Sequence, residues 1–509
     1  MTESRRGTSE VVVVGAGPTG LTLAYELALA GVGTLVLEKL PERVEQVKGG
    51  GIQPRTAELL QSRGLLEPVL ARALPRDSAG GHFAALPVSL DCAPWRTRHP
   101  EPIAVAQWEI EEVLEERAVA AGARVLRGAA VTAVEPDGDG VTVTAGALTV
   151  RAGHLVACDG GHSAVRKLLG LPFPGRPGTH QAVLADIRLS AVSPLVPSRA
   201  GHMSTLTRHA GGHWAVLVPL GGDRYRFTFG RVGEADPDRD TPVPDEEVAD
   251  ALRAVYGPGT TLGAVDNASR FGDATRQLEQ YRVGRILFAG DAAHIHPPLG
   301  GQGLNLGMQD AFNLGWKLAA VVQDRAPDGL LDSYHTERHP AAAQVLHHTS
   351  AQRVLADPRP SEDVAALRDI VTDLLRLPDA NRHIAGLLSG LALRYDLPGD
   401  HPLTGRRVPD AGLVTGAGPV RLSALFGSGH AVLLDLAGTV PAGLPLPPRV
   451  DLVRATCAEE LGATALLIRP DGYVCWATDG PATGLGSGET DGLGDTVLAA
   501  VAGGLTGAG

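Results

Sequence analysis

Gly15-x-Gly17-x-x-Gly20 stands directly between the β-branched run Val11–Val14 and a helix-patterned stretch from Pro18 to Ala30. In a dinucleotide-binding turn each glycine has its own task. The first makes the tight turn, the second lets a pyrophosphate approach the backbone, and the third lets helix and strand pack closely. The helix start, Pro18-Thr19-Gly20, offers unpaired N–H groups and the positive end of a dipole to the phosphates. Glu38 ends the next apolar run, Thr34–Leu37, 18 residues beyond Gly20, where a carboxylate can hold a ribose diol; Lys39 follows it. A glycine turn alone is common. Strand, three glycines, helix and acid together point to a dinucleotide site, without saying which dinucleotide.

Two later segments carry further chemistry. Cys158-Asp159-Gly160-Gly161 is a sharp turn after a buried strand, and Arg166 follows it. Gly290-Asp291 ends another buried strand and leads through His294 into Pro297-Pro298-Leu299-Gly300-Gly301-Gln302-Gly303-Leu304-Asn305. A carboxylate at Asp291 can accept hydrogen bonds from a polyol or cap a helix, and the two roles are compatible. The loop through Gly301 and Gly303 lets backbone N–H groups face a flat ring. The helix starting near Asn305 turns its positive end toward that ring and would stabilise negative charge on it. His82, Trp95, Trp214 and Pro298 are candidates for lining a substrate cavity, with plain core packing as the competing role. No spacing among His82, His294 and His296 suggests a metal, and none is expected.

The elements that must position these residues follow from hydrophobic patterning. Val11 to Glu38 reads as one βαβ unit. Residues 54–72 and 107–122 have helical patterns, Val141–Val150 and Leu155–Cys158 read as strands, and 176–275 alternates like a sheet. A buried strand over Arg285–Ala289, a strong helix over 305–323 and mostly helical residues 330–398 follow. After the break Pro398-Gly399-Asp400-His401-Pro402, strands at Ala431–Leu434, Val450–Val453, Ala465–Arg469 and Tyr473–Ala477 suggest a separate small α/β unit.

In motif order and spacing, residues 10–350 resemble the FAD-dependent aromatic hydroxylases of the para-hydroxybenzoate hydroxylase type, the class A flavoprotein monooxygenases. The glycine fingerprint and the Asp159 and Asp291 segments carry the likeness, with Pro54-Arg55-Thr56-x-Glu58-Leu59-Leu60, Gln107 and Leu331-Asp332-Ser333-Tyr334-x-x-Glu337-Arg338. Gly81-His82-Phe83 with Leu86-Pro87, Ala274-Thr275-Arg276-Gln277 and the extra C-terminal unit give a closer resemblance to actinomycete hydroxylases of angucycline and anthracycline biosynthesis. The resemblance implies FAD held by Gly15, Gly17, Pro18, Thr19, Gly20, Glu38, Lys39, Gln107, Gly290, Asp291, Pro298, Gly301, Gly303, Leu304 and Asn305. It makes Asp159 and Arg166 a pair near FAD and the nicotinamide; a surface ion pair is the competing reading. The chain has Val47-Lys48-Gly49-Gly50-Gly51 where relatives usually carry Ser-Arg-(Ala/Gly). Lys48 keeps the charge and loses arginine's planar fork.

The fold expected is therefore α/β: a Rossmann-like FAD-binding domain (1–175 and, with a helical segment, 276–398), an inserted β-sheet substrate domain (176–275) and a C-terminal thioredoxin-like domain (399–509) lacking CxxC. The resemblance implies a monooxygenase in which NADPH or NADH, as a transient co-substrate, reduces FAD. Reduced flavin then traps O2 as a hydroperoxide that hydroxylates an aromatic polyketide. A Baeyer–Villiger oxygenase is the alternative on the same scaffold, and a flavin-binding scaffold without oxygenase activity is a third. No second GxGxxG is present for a resident nicotinamide.

The bulk numbers agree. A net charge of −12 disfavours nucleic acid as a partner. The four cysteines form no CxxC and fit a reduced, cytoplasmic protein. Arg5-Arg6 imitates an export signal, but Glu10, Glu26 and the glycine fingerprint do not fit one. No uninterrupted apolar stretch is long enough to span a membrane, and the expected state is monomer or homodimer.

Overall fold

A computed structural model of the chain describes residues 5–45, 49–74, 80–233, 241–326, 328–441, 444 and 446–480. Its central sheet runs in the order Arg282–Val283, Ile286–Phe288, Leu148–Ala157, Arg5–Val14, Thr34–Leu37, Arg124–Leu126. The last five strands of that order are parallel. Val11–Val14 and Thr34–Leu37 are buried along their whole length, which is why they read as unbroken apolar runs. The helix Pro18–Leu29 follows the glycine turn, with Pro18 at its first position, where a missing N–H costs nothing.

Five antiparallel strands form a second sheet, in the order Thr261–Gly272, Gln181–Ala191, Arg224–Arg231, His213–Gly221, Thr207–Ala210. Strand alternation sends Val183, Ala185, Ile187, Leu217, Phe227 and Phe229 to one face, where the helix Asp245–Tyr256 covers them. The opposite face carries Leu184, Asp186, Trp214, Val216, Arg226 and Thr228. The C-terminal sheet is ordered Gly418–Arg421, Gly412–Thr415, Val450–Cys457, Ala431–Asp435, Ala465–Ile468, Val474–Thr478, with Ala431–Asp435 and Val450–Cys457 parallel.

Several sequence expectations need adjusting. The helical pattern over 54–72 divides into Pro54–Ser62 and Leu66–Leu70, because Gly64 takes φ +66° between them. The strand read over Val141–Val150 is a hairpin: Val141–Ala145 turns at Gly146, φ +61°, into Leu148–Ala157. The helix Asp245–Tyr256 and the Gly412–Arg421 hairpin had no counterpart in the sequence reading. Among the described residues no helix is long and apolar enough to cross a membrane.

Candidate flavin site

The glycine turn is built as its spacing requires. Gly15 has φ +105°, and a Cβ there would lie 2.4 Å from the Cys158 carbonyl oxygen. A Cβ on Gly20 would lie 2.0 Å from the Gly15 oxygen, so helix and turn touch through bare backbone. At Gly17 a Cβ would meet nothing within 4 Å, which leaves the room a pyrophosphate needs. The helix Pro18–Leu29 has no acidic residue in its first turn, and neither has the helix Gly303–Val322. The surface helix Asp245–Tyr256, by contrast, opens on three acids. Two uncompensated positive helix ends are what an anionic ligand uses.

Glu38 accepts the Ala16 N–H at 2.8 Å and the Leu40 N–H at 2.9 Å, so it braces the glycine turn. Lys39 beside it is exposed, and Lys48 lies outside the described residues. Gln107 opens the helix Gln107–Ala120 and donates to Glu111 at 2.8 Å. Gly49 passes between Gln107 and Leu304: a Cβ there would lie 3.3 Å from the Gln107 Oε1 and 3.6 Å from the Leu304 Cδ1.

Thr19 is turned inward rather than toward a ligand. A Cβ on Gly290 or Gly307 would lie 2.7 or 2.3 Å from its hydroxyl, so it fills the junction of three elements. Its side chain is a packing group, and only its backbone remains available to phosphate.

Asp159 caps the helix Ala164–Leu168, accepting from the Ala164 and Val165 N–H groups at 2.6 and 3.1 Å. Its other oxygen is buried without a partner. Arg166 is buried and forms no ion pair with it among the described residues, which corrects the surface-pair reading. The guanidinium is buried, stacks 3.9 Å over Phe173, and donates to the carbonyls of Ala292 (3.0 Å) and Gly161 (2.6 Å). It fastens the Asp159 turn to the Asp291 turn.

Gly290 takes φ +61°, and Asp291 is exposed. A Cβ on Gly303 would lie 4.0 Å from the Asp291 Oδ1 and 3.6 Å from the His296 Nε2. His296 donates from Nδ1 to the Pro297 carbonyl at 2.7 Å, and burial pulls its pKa down to about 4, so the ring is neutral. Pro298 is exposed, and Gly300 and Gly301 are left-handed at φ +77° and +63°. Asn305 is buried and fully engaged. Its Oδ1 accepts the Gln53 N–H at 2.8 Å, and its Nδ2 donates to the carbonyls of Gly51 and Gly301, both at 2.9 Å. Its side chain positions two loops.

Beneath this rim lies a network that sequence reasoning missed. Asp310 accepts from the His294 Nε2–H and the Arg338 Nε–H, both at 2.7 Å, and from the Gly290 N–H at 3.1 Å. Burial alone would raise the Asp310 pKa, but Arg338 and His294 outweigh it and hold it below the usual range. The sequence signals were His294 after the Gly290-Asp291 turn and the pair Glu337-Arg338 within the Leu331–Arg338 motif. Glu337 meets Arg469 at 2.8 Å and Lys317 at 3.0 Å, joining the C-terminal sheet to the helix Gly303–Val322. Among the described residues no cluster of His, Cys, Asp or Glu is arranged to hold a metal.

The four substrate candidates divide. Trp95 is packed against a helix. Its indole N–H donates to the Arg382 carbonyl at 2.8 Å, and a Cβ on Gly386 would lie 2.2 Å from its ring, so the helix Pro378–Ser389 occupies it. Trp214 lies flat on Gly230 of the neighbouring strand, on the open face of the second sheet. His82 accepts the Ala85 N–H at 3.2 Å and approaches the His202 ring edge-on at 6.3 Å, bridging the 80–90 segment to the second sheet's unit. Pro298 stays on the rim. Missed on that sheet was the pair Arg226–Asp186, 3.0 Å apart, with Asn267 3.4 Å from both Asp186 and the Glu45 carbonyl.

Every part of this cradle fits FAD: open space at Gly17, an orphaned Asp159 oxygen, an exposed Asp291 and two unopposed helix ends. Known proteins agree. The chain is 47% identical over 504 residues to the 12-dehydrotetracycline 5-monooxygenase/anhydrotetracycline 6-monooxygenase of Streptomyces rimosus, covering 96% of this chain and 98% of that one. The structure of CabE, an aromatic hydroxylase from angucycline biosynthesis, superposes with a TM-score of 0.83 at 39% identity, over 94% of this chain and 97% of that one. The Diels-Alderase PyrE3 of pyrroindomycin biosynthesis does so with a TM-score of 0.81 at 37% identity, over 97% and 99%. Residues 8–349 match the FAD binding domain family and residues 401–502 the aromatic-ring hydroxylase C-terminal family, so the chain belongs to the FAD-dependent aromatic-ring hydroxylases, which are monooxygenases.

Proposed function

We propose that this enzyme hydroxylates a ring of a polycyclic aromatic polyketide, using NADPH or NADH and O2. The observation that carries the reading is the open face of the second sheet. Leu184, Trp214 and Val216 make it apolar, while Arg226, Asp186 and Asn267 add a polar corner that reaches the Glu45 carbonyl. A flat polyphenol with an apolar body and few polar handles suits such a wall.

Bound FAD supplies the oxygen activation. The chain binds its phosphates at Gly15, Gly17 and Gly20 and its ribityl hydroxyls at Asp291. The Gly300–Gly303 backbone and the positive end of the Gly303–Val322 helix would hold its ring and stabilise negative charge there. Trp214 and Pro298 bracket the substrate, with His82 beside them. The nicotinamide visits without a domain of its own. We place the enzyme in the cytoplasm, in keeping with its four free cysteines.

The PyrE3 likeness makes redox turnover the point to test. Substrate-stimulated NADPH oxidation with a polycyclic phenol supports the proposal. A protein that holds FAD yet never oxidises NADPH, with or without such substrates, contradicts it.

A further inference from the structure

The turn 469–473 joins two strands of the C-terminal sheet, Ala465–Ile468 and Val474–Thr478, and its tip is sunk into the flavin-binding domain. Arg469 and Asp471 are each only 2% exposed. Gly472 turns at φ +77°, and a Cβ there would lie 3.1 Å from the Arg55 Nη2, so the tip meets that guanidinium through bare backbone. It reaches three helices whose N-terminal ends border the cradle. The Asp471 carboxylate accepts from the Asn313 Nδ2 at 3.2 Å, on the helix Gly303–Val322. The Asp471 carbonyl accepts from Arg55 at 2.7 Å, on the helix Pro54–Ser62 that follows Gln53. The Pro470 carbonyl accepts from Arg63 at 2.9 Å, and Arg63 clasps Glu26 of the helix Pro18–Leu29 at 2.8 and 2.9 Å.

A second line of contacts leads to the Asp291 turn. Tyr473 packs on Tyr395 with ring centroids 4.3 Å apart, and the Tyr395 hydroxyl accepts from the Arg338 Nη1 at 3.1 Å. Arg338 holds Asp310, which takes the Gly290 N–H. Between the two lines Arg469 grips both oxygens of Glu337, at 2.9 and 2.8 Å. Burying so many charges is a poor way to gain stability, because desolvation offsets the attraction and apolar side chains would pack as well. What such pairs supply is geometry, since each buried charge is satisfied only at the right distance and angle.

We propose that this tip is a positioning element for FAD: Arg469, Asp471 and, through Tyr395, Tyr473 set the helix Gly303–Val322 and the Gly290-Asp291 turn where the flavin binds. The inference rests on the flavin site described above. It gives the C-terminal domain, which lacks CxxC, a task in cofactor binding without redox chemistry of its own.

FAD titration of the full-length chain, well below its melting temperature, separates positioning from plain stability. Asp471→Asn and Tyr395→Phe each raise the FAD Kd about fivefold or more while the far-UV spectrum stays native. Leu433→Ala, in the core of the C-terminal sheet and 1% exposed, lowers the melting temperature by several degrees and leaves the Kd at the wild-type value. Asp291→Ala marks the site itself and weakens FAD about tenfold or more. Wild-type affinity in Asp471→Asn or Tyr395→Phe overturns the proposal; should Asp471→Asn fail to fold, Tyr395→Phe alone decides. A Leu433→Ala variant that loses as much FAD affinity as the tip variants also overturns it. Wild-type affinity in Asp291→Ala overturns the flavin placement, and the role of the tip with it.

Discussion

Asn305 closes on Gln53: its Oδ1 takes the Gln53 N–H at 2.8 Å, while its Nδ2 holds the Gly51 and Gly301 carbonyls. One buried amide thereby joins the Gly49–Gly51 loop to the Gly300–Gly303 loop. The family resemblance counts Asn305 among the flavin contacts. In the structure its side chain holds the backbone of both loops.

Asn305→Ala removes three hydrogen bonds and frees both loops. At about 1 kcal/mol for each well-made bond, partly recovered by water, FAD affinity falls roughly tenfold or more. Flavin fluorescence titration reads the change, and the melting temperature drops by only a few degrees.

The glycines of the turn differ in what a methyl group would do. Gly20→Ala drives a Cβ into the Gly15 oxygen and destabilises the fold by roughly 3 kcal/mol or more, seen as a lower melting temperature even without flavin. Gly17→Ala meets no protein atom, so the apoprotein melts as the wild type does. Its methyl group fills the phosphate's room instead, and FAD binding weakens roughly a hundredfold, near 2.7 kcal/mol. Equal loss of stability in the two variants would contradict this assignment.

Glu337 carries a pH signature. Burial would raise its pKa, but Arg469 and Lys317 overcome that and pull it down to about 2. A carboxylate depressed in the folded state stabilises it fully above the unfolded pKa, 4.5 in the reference scale. That contribution fades as pH falls from 4.5 toward 2. Glu337→Gln leaves two buried cations short of a partner and costs roughly 3 kcal/mol at neutral pH. The gap between wild type and variant, followed by urea unfolding, narrows as the pH drops below about 4.5.

The open sheet face should govern substrate rather than flavin. Trp214→Ala removes the flat wall and raises KM by roughly tenfold or more, a loss of about 1.5 to 3 kcal/mol of apolar burial. FAD affinity and the slow oxidation of NADPH without substrate stay as they were. An unchanged KM would place the substrate elsewhere.

Much of this site was legible because its chemistry is written in backbone rules. Three glycines at fixed spacing, a strand-ending Glu38 and the aspartates at 159 and 291 each need a residue type that few alternatives satisfy. Long-range partners were not legible. Nothing local to Arg166 says that its guanidinium reaches Ala292, 126 positions on, rather than Asp159 seven positions back. Trp95 offered the same aromatic type as Trp214. Both rings are half-buried, and only the fold shows that Trp95 packs on the Pro378–Ser389 helix and Trp214 on the second sheet. Arg226 and Asp186 escaped notice because strand alternation fixes a face but does not say which face stays open until a helix covers the other. Lys48, the chain's departure from its relatives at the flavin loop, lies outside the described residues.

The central claim is that the chain places one atom of O2 on an aromatic ring carbon. Turnover of the FAD-loaded enzyme with a polycyclic phenol, NADPH and 18O2, followed by product NMR and mass spectrometry, measures this most directly. The account predicts one 18O atom as a new phenol, on an otherwise intact ring system. Oxygen inserted beside a ketone to give a lactone, or substrate returned unchanged by a flavin-loaded enzyme that does not oxidise NADPH, would contradict it.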